Sequence, residues 1–132
     1  MAVMTPKQVV ERLVDEVMNR GDLDALEDVY SARLAPAARK WVEPFLASFS
    51  DVEMRIVEMV AEGENVMARF TCSGTHTGVW MGHAPTGRRF NRVAEVYSFR
   101  VVDGRITRAW GLEDVVDRLR QLGISVEPRG GG

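Results

Sequence analysis

The stretch that decides the fold is Asp51–Ser73, DVEMRIVEMVAEGENVMARFTCS. Before it, apolar residues recur every three or four positions; from it onward they recur every two. Val52, Met54 and Ile56 alternate with Glu53 and Arg55, the pattern of a strand with one buried face. Val57 and Met59 continue out of phase, which predicts a bulge near Ile56. Glu62-Gly63-Glu64-Asn65 has the composition of a hairpin turn. A second strand then sets Val66, Ala68, Phe70 and Cys72 on one face and Arg69, Thr71 and Ser73 on the other. The apolar parity reaches Gly74 and His76, unless Gly74 inserts a bulge.

Toward the C-terminus, Cys72–Arg89 (CSGTHTGVWMGHAPTGRR) holds both histidines and the only cysteine among turn-forming residues, and reads as a crossing between strands. A third strand follows, with Val93, Glu95, Tyr97, Phe99 and Val101 on one face, so a carboxylate sits inside an apolar set. Val102-Asp103-Gly104-Arg105 makes the next turn, and Ile106–Leu112 a fourth strand. Val115, Val116, Leu119 and Leu122 form the face of a last helix stopped by Gly123. The expectation is one domain over residues 1–123 and a flexible tail over 124–132, which ends EPRGGG.

Toward the N-terminus, Thr5 as N-cap, Pro6 at the first helical position and Gln8 three residues after the cap predict a helix start with a capping box. Val9, Val10, Leu13, Val14, Val17 and Met18 share one helical face, and Gly21 ends it. Asp22 caps a second helix through Leu23, Leu26 and Val29. A third runs from about Ala35 to Phe49, with Pro44 expected to kink or restart it. Helices first, then an antiparallel meander of four or more strands, then a short helix, give the α+β class. Long strands curled around the helices enclose an apolar pocket.

Bulk properties narrow the function. The 132 residues fit a single core. A net charge of −2 with dispersed Lys and Arg offers no basic field for nucleic acid. The first residues, MAVMTPKQVV, lack the pattern of a signal peptide, and no apolar run approaches a bilayer span. A cytoplasmic protein without membrane contact is expected.

Two segments, ENVMARFTCSGTHTGVWMGHAPTGRRF (64–90) and YSFRVVDGRITRAWGLEDVVDRLRQLG (97–123), resemble the SnoaL-like polyketide cyclases, within the nuclear transport factor 2-like and ketosteroid isomerase-like fold. The resemblance rests on Gly74–Gly78, Pro85–Gly87, the Asp-Gly turn before Ile106 and the closing Gln-Leu-Gly. It implies an enzyme that closes a ring by intramolecular aldol condensation without a cofactor, with an aspartate as general acid/base, and it implies a homodimer. Aligning AWGLED with the family's His-Trp-Asp puts the aspartate position at Gly111 and a second acid or histidine position at Tyr97. A slip of a few residues gives the role to Glu113 or Asp114.

Among the residues themselves, Glu95 is the first candidate for catalysis. An apolar pocket raises a carboxyl pKa and makes it a usable base near neutral pH, while an ion pair with an arginine on a neighbouring strand is the structural alternative. Tyr97 faces the same way and offers a hydroxyl to a carbonyl or enolate. His76 is a candidate proton shuttle or a brace for its turn. Asp114 suits an N-cap as well as an acid, and Glu113 lies in the other phase. Trp41, Phe45, Phe70, Phe99 and Trp110 are candidate walls for a hydrophobic, polycyclic small molecule. Cys72, His76 and His83 match no zinc spacing, so no metal is expected. Two other readings stay open: an epoxide hydrolase that activates water with the same acid and donor, and a non-catalytic ligand-binding or dimerisation module.

Overall fold

The computed structural model describes residues 3–126. Helix α1 (Pro6–Arg12) starts at the capping box expected: the Gln8 N–H donates to Thr5 Oγ1 at 3.2 Å and the Thr5 N–H donates to Gln8 Oε1 at 2.9 Å. It continues as a wider π-helix, Leu13–Asn19, rather than as α-helix to Gly21. All six apolar residues of its face are buried. At the end of the π segment the Asn19 side chain brackets Met54, donating to its carbonyl at 3.0 Å and accepting its N–H at 2.6 Å. The helix is thereby tied to the first strand.

Asp22 caps a 3-10 turn, Leu23–Ala25, that leads into α2 (Leu26–Val29). Helix α3 (Ala35–Ser48) runs through Pro44 without the break expected there. The carbonyl that Pro44 leaves without an N–H partner belongs to Lys40, an exposed residue, where water can take it. The Ser48 hydroxyl donates to the Pro44 carbonyl at 2.9 Å, holding the turn that follows the proline.

The sheet is an antiparallel meander in the order β1 (Glu53–Glu62), β2 (Asn65–Thr75), β3 (Arg89–Val102) and β4 (Arg105–Glu113). The β1 bulge falls at Val57, between the pairs Ile56↔Phe70 and Glu58↔Arg69, as the phase change predicts. A second bulge carries Asn91 and Arg92 opposite Ser73. Because its extra residue is on β3, the parity of β2 survives through Gly74, and His76 is buried. Asp103 and Gly104, both with positive φ, make the tight turn into β4.

Helix α4 (Val115–Gln121) corrects the expected face. Val116 is exposed, and the buried stripe runs through Arg118 and Leu122. Gly123 (φ +73) stops the helix, but Ile124 is not frayed: its N–H donates to the Leu119 carbonyl at 2.9 Å and it packs on the core. Residues 127–132 of the expected tail lie outside the described residues. No helix among those described is long and apolar enough to cross a membrane.

Candidate active site

The concave side of the sheet and the first and third helices enclose a cavity of about 360 Å³. Leu13, Val14 and Met18 line it from the N-terminal helix, and Trp41, Pro44, Phe45 and Ser48 from α3. Met54, Phe70, Phe99, Glu95, Tyr97 and Glu113 line it from the strands, and Val79–Met81 from the crossing loop. An apolar chamber with a few convergent polar groups is the usual build of a small-molecule site. Ser48 accounts for the local fold of the rim: its hydroxyl lies 2.7 Å from the Val79 carbonyl, and its carbonyl accepts the N–H groups of Thr77 and Gly78 at 3.0 Å. Gly78 has to be glycine there, because a Cβ would stand 2.4 Å from the Ala47 carbonyl oxygen.

The polar groups form one chain. Glu95 is 2% exposed, and its Oε2 accepts from Arg118 Nη2 at 3.0 Å. Arg118 Nη1 reaches Glu113 Oε1 at 2.5 Å, and the Tyr97 hydroxyl donates to Glu113 Oε2 at 3.3 Å. The guanidinium is fully buried over the rings of Phe90, Phe45 and Trp80, at 4.8, 5.2 and 5.6 Å from their centroids. Flat, weakly hydrated and always charged, an arginine is the cation best suited to such a box. Two carboxylates thus share one buried cation.

Burial, and then the negative charge of Glu113, pushes the Glu95 carboxyl up to about 7, against the opposing pull of Arg118. Burial, with Glu95 and Glu113 nearby, also holds the Tyr97 phenol above its ordinary range, so it is a donor at neutral pH. A separation of 3.3 Å is long for O–H···O, and a substrate oxygen can replace the carboxylate at little cost. Arg118 is held above its ordinary range: burial lowers it, but the pairing with Glu113 and Glu95 outweighs that. Burial raises the Cys72 thiol, which makes it a poor nucleophile.

The structure brings Glu95, Tyr97, Glu113, Trp41, Phe45, Phe70 and Phe99 to one cavity. The partner of Glu95 comes from α4, not from a neighbouring strand. His76 does not line the cavity. Its Nδ1 accepts the Thr86 N–H at 3.2 Å and lies 3.1 Å from the Thr86 hydroxyl, while the ring packs on Phe49. These contacts tie the ring to the turn at Thr86. Asp114 is the N-cap of α4, accepting the Asp117 N–H at 3.0 Å. Trp110, 60% exposed, lies on a separate cavity. Arg118 is not among the candidates the sequence singles out, because a lone charge in a helix carries no motif of its own. The available signal was its spacing, three after Val115 and four before Leu122. Among the described residues no group of three or more His, Cys, Asp or Glu is arranged to hold a metal ion.

At Gly111 there is no carboxylate but a neighbour's ring. A Cβ added there would stand 2.2 Å from Tyr97 Cδ1, so this glycine and this tyrosine occupy one space.

A family profile described as SnoaL-like polyketide cyclase matches residues 8–122. The chain is 29% identical over 115 residues to the aklanonic acid methyl ester cyclase DnrD of Streptomyces peucetius, covering 87% of this chain and 77% of that protein. Its fold is similar to AclR, a proposed hydroxylase from Streptomyces galilaeus (TM-score 0.81, 27% identity, 94% of this chain and 85% of that one). It is also similar to IdmH, a proposed polyketide cyclase from Streptomyces antibioticus (TM-score 0.78, 27% identity, 92% and 100%).

Proposed function

Since the chain belongs to the SnoaL-like polyketide cyclase family, we propose that it is a cofactor-independent acid/base enzyme that closes a ring in a hydrophobic polyketide substrate, with Glu95 as the catalytic acid/base. The observation that carries this reading is a buried carboxyl in the wall of an apolar cavity, poised near pH 7. A general base works best with its pKa near the operating pH. The ionised Glu95 takes a proton from a carbon activated by a neighbouring carbonyl. The resulting enolate carbon attacks a second carbonyl, and the Glu95 acid returns the proton to the new alkoxide, so the proton count closes without a redox partner. The Tyr97 hydroxyl leaves Glu113 to bond the enolate oxygen, where charge develops. Arg118 orients Glu95, and Glu113 holds Tyr97 between turnovers.

The test uses aklanonic acid methyl ester, the compound named for the relative DnrD, and follows the ring-closed product by chromatography. Glu95→Gln is expected to lower kcat/KM at least ~100-fold, and Tyr97→Phe at least ~10-fold. In the wild type kcat/KM rises with pH through an acid limb near 7, because the ionised form is the base. A Glu95→Gln enzyme that keeps more than a tenth of the wild-type rate, or an acid limb near the ordinary 4.5, overturns the assignment. A binding-only module is the second reading, favoured by the missing carboxylate at Gly111. Tight binding of the ester with no product in the wild type would select it.

We also propose that the outer face of the sheet pairs two copies of the chain. Val60, Met67 and Trp110 lie in register across the strands with Val96 and Leu112 beside them, and all five are exposed. An exposed apolar patch of this kind marks an interaction surface.

A further inference from the structure

Tyr97 stands between two cavities. On one side is the chamber already described; on the other a second one, of about 330 Å³, lies along β4, and Trp41, Tyr97 and Glu113 line both. Strand β4 is an edge of the sheet. Tyr30 and Ser31 cover that edge at Ile106, where the Ser31 N–H donates to the Ile106 carbonyl at 2.9 Å, but Ala109–Gly111 face the second cavity. Gly111 has no side chain, which lets the Tyr97 ring settle onto the strand.

Tyr30 also lines this second cavity. The residue is fully buried, and its hydroxyl has no partner among the described residues. Buried hydroxyls in folded proteins are nearly always bonded, and leaving one unbonded costs more than the bond itself brings. The remaining walls, Leu34, Ala38, Trp41, Ala109 and Trp110, are apolar, and Glu113 is the one charged group. A flat apolar group with one oxygen fits that inventory.

We propose that the second cavity is a subsite of the same active site, taking a planar ring of the substrate whose keto oxygen bonds the Tyr30 hydroxyl. The choice of a ring-bearing ligand rests on the proposed function; the subsite itself is tested by binding alone. Tryptophan-fluorescence titrations compare 2-naphthol, two rings, with 1,8-dihydroxyanthraquinone, three rings carrying keto oxygens. The wild type is expected to bind the three-ring probe at least ~10-fold more tightly. Tyr30→Phe, which keeps the shape, removes about threefold to tenfold of that affinity and leaves naphthol within twofold. Leu34→Trp, which fills the second cavity from a position that does not line the first, removes the gain of the third ring. The inference is overturned if both variants bind the anthraquinone as the wild type does, or if that probe shows no saturable binding. Turnover of the methyl ester with unchanged binding in both variants would sink the subsite and leave Glu95 catalysis standing. The reverse pattern, subsite binding without turnover, would do the opposite.

Discussion

Replacing Arg118 with methionine keeps a long, flexible side chain inside the ring box and removes the cation from between Glu95 and Glu113. Breaking one partner out of a buried ion pair costs about 3–5 kcal/mol, because the remaining charge is left without compensation. With an unfolding entropy of ~2.1 cal/mol/K per residue over a chain of this length, that loss lowers Tm by roughly 10–18 °C. Glu95 gives the effect a pH signature. Its folded pKa, about 7, is raised above the ordinary 4.5, so between those values the folded chain holds a proton that the unfolded chain has released. Wild-type stability therefore falls as pH rises through that window and levels off above it. Arg118 pulls that pKa down, so without it the proton is held to higher pH and stability goes on falling. The deficit of Arg118→Met relative to wild type is accordingly smaller at pH 5.5, where Glu95 is neutral in both, than at pH 8.5. Differential scanning fluorimetry at the two pH values measures it. The double variant Arg118→Met/Glu95→Gln, which has no charge left at position 95, should recover much of the loss at pH 8.5. Equal deficits at both pH values, or a loss under about 3 °C, would refute the placement of a shared buried cation.

Two further outcomes follow from the sheet. Gly111→Ala puts a Cβ 2.2 Å from the Tyr97 ring and is expected to cost about 1–3 kcal/mol by overpacking, whereas Tyr97→Ala/Gly111→Ala should show almost none of that added cost; additive effects in a thermal-denaturation cycle would deny the shared space. Trp110→Glu with Leu112→Glu on the outer face should convert a dimer to a monomer in light scattering, and a wild type that already scatters as a monomer removes the proposed pairing.

The sheet was legible because its inner face alternates along strands of nine to fourteen residues, a pattern no helix reproduces. The Val57 bulge was legible for the same reason, since a single extra residue flips every later side chain. Other features depended on partners distant in sequence. Whether β2 kept its parity past Gly74 was decided on β3, at Asn91 and Arg92. The passage of α3 through Pro44 was settled by where Lys40 points, which periodicity alone does not encode. The site divides along the same line. Glu95 betrayed itself as a carboxylate on an apolar parity. Arg118 did not, although its spacing placed it on the buried stripe, because the energy that allows a buried guanidinium comes from Glu113, Glu95 and three rings contributed by other elements.

The place of the acid in this cavity follows from strand geometry. Tyr97 pairs with Gly111 and Glu95 with Glu113, so all four residues face one side of the sheet. Positions two apart on a strand share a face and lie ~7 Å apart. Glu113 therefore reaches the same wall as position 111, but one such step further along. There it stands beside Arg118 and opposite Glu95, where its charge helps to hold the Glu95 proton near neutral pH. Gly111, with no side chain, admits the Tyr97 ring, whose hydroxyl meets the Glu113 carboxylate at 3.3 Å. Glycine at 111, tyrosine at 97 and glutamate at 113 are in this sense one arrangement. A carboxylate placed at 111 alone would collide with the ring before it could act as a base.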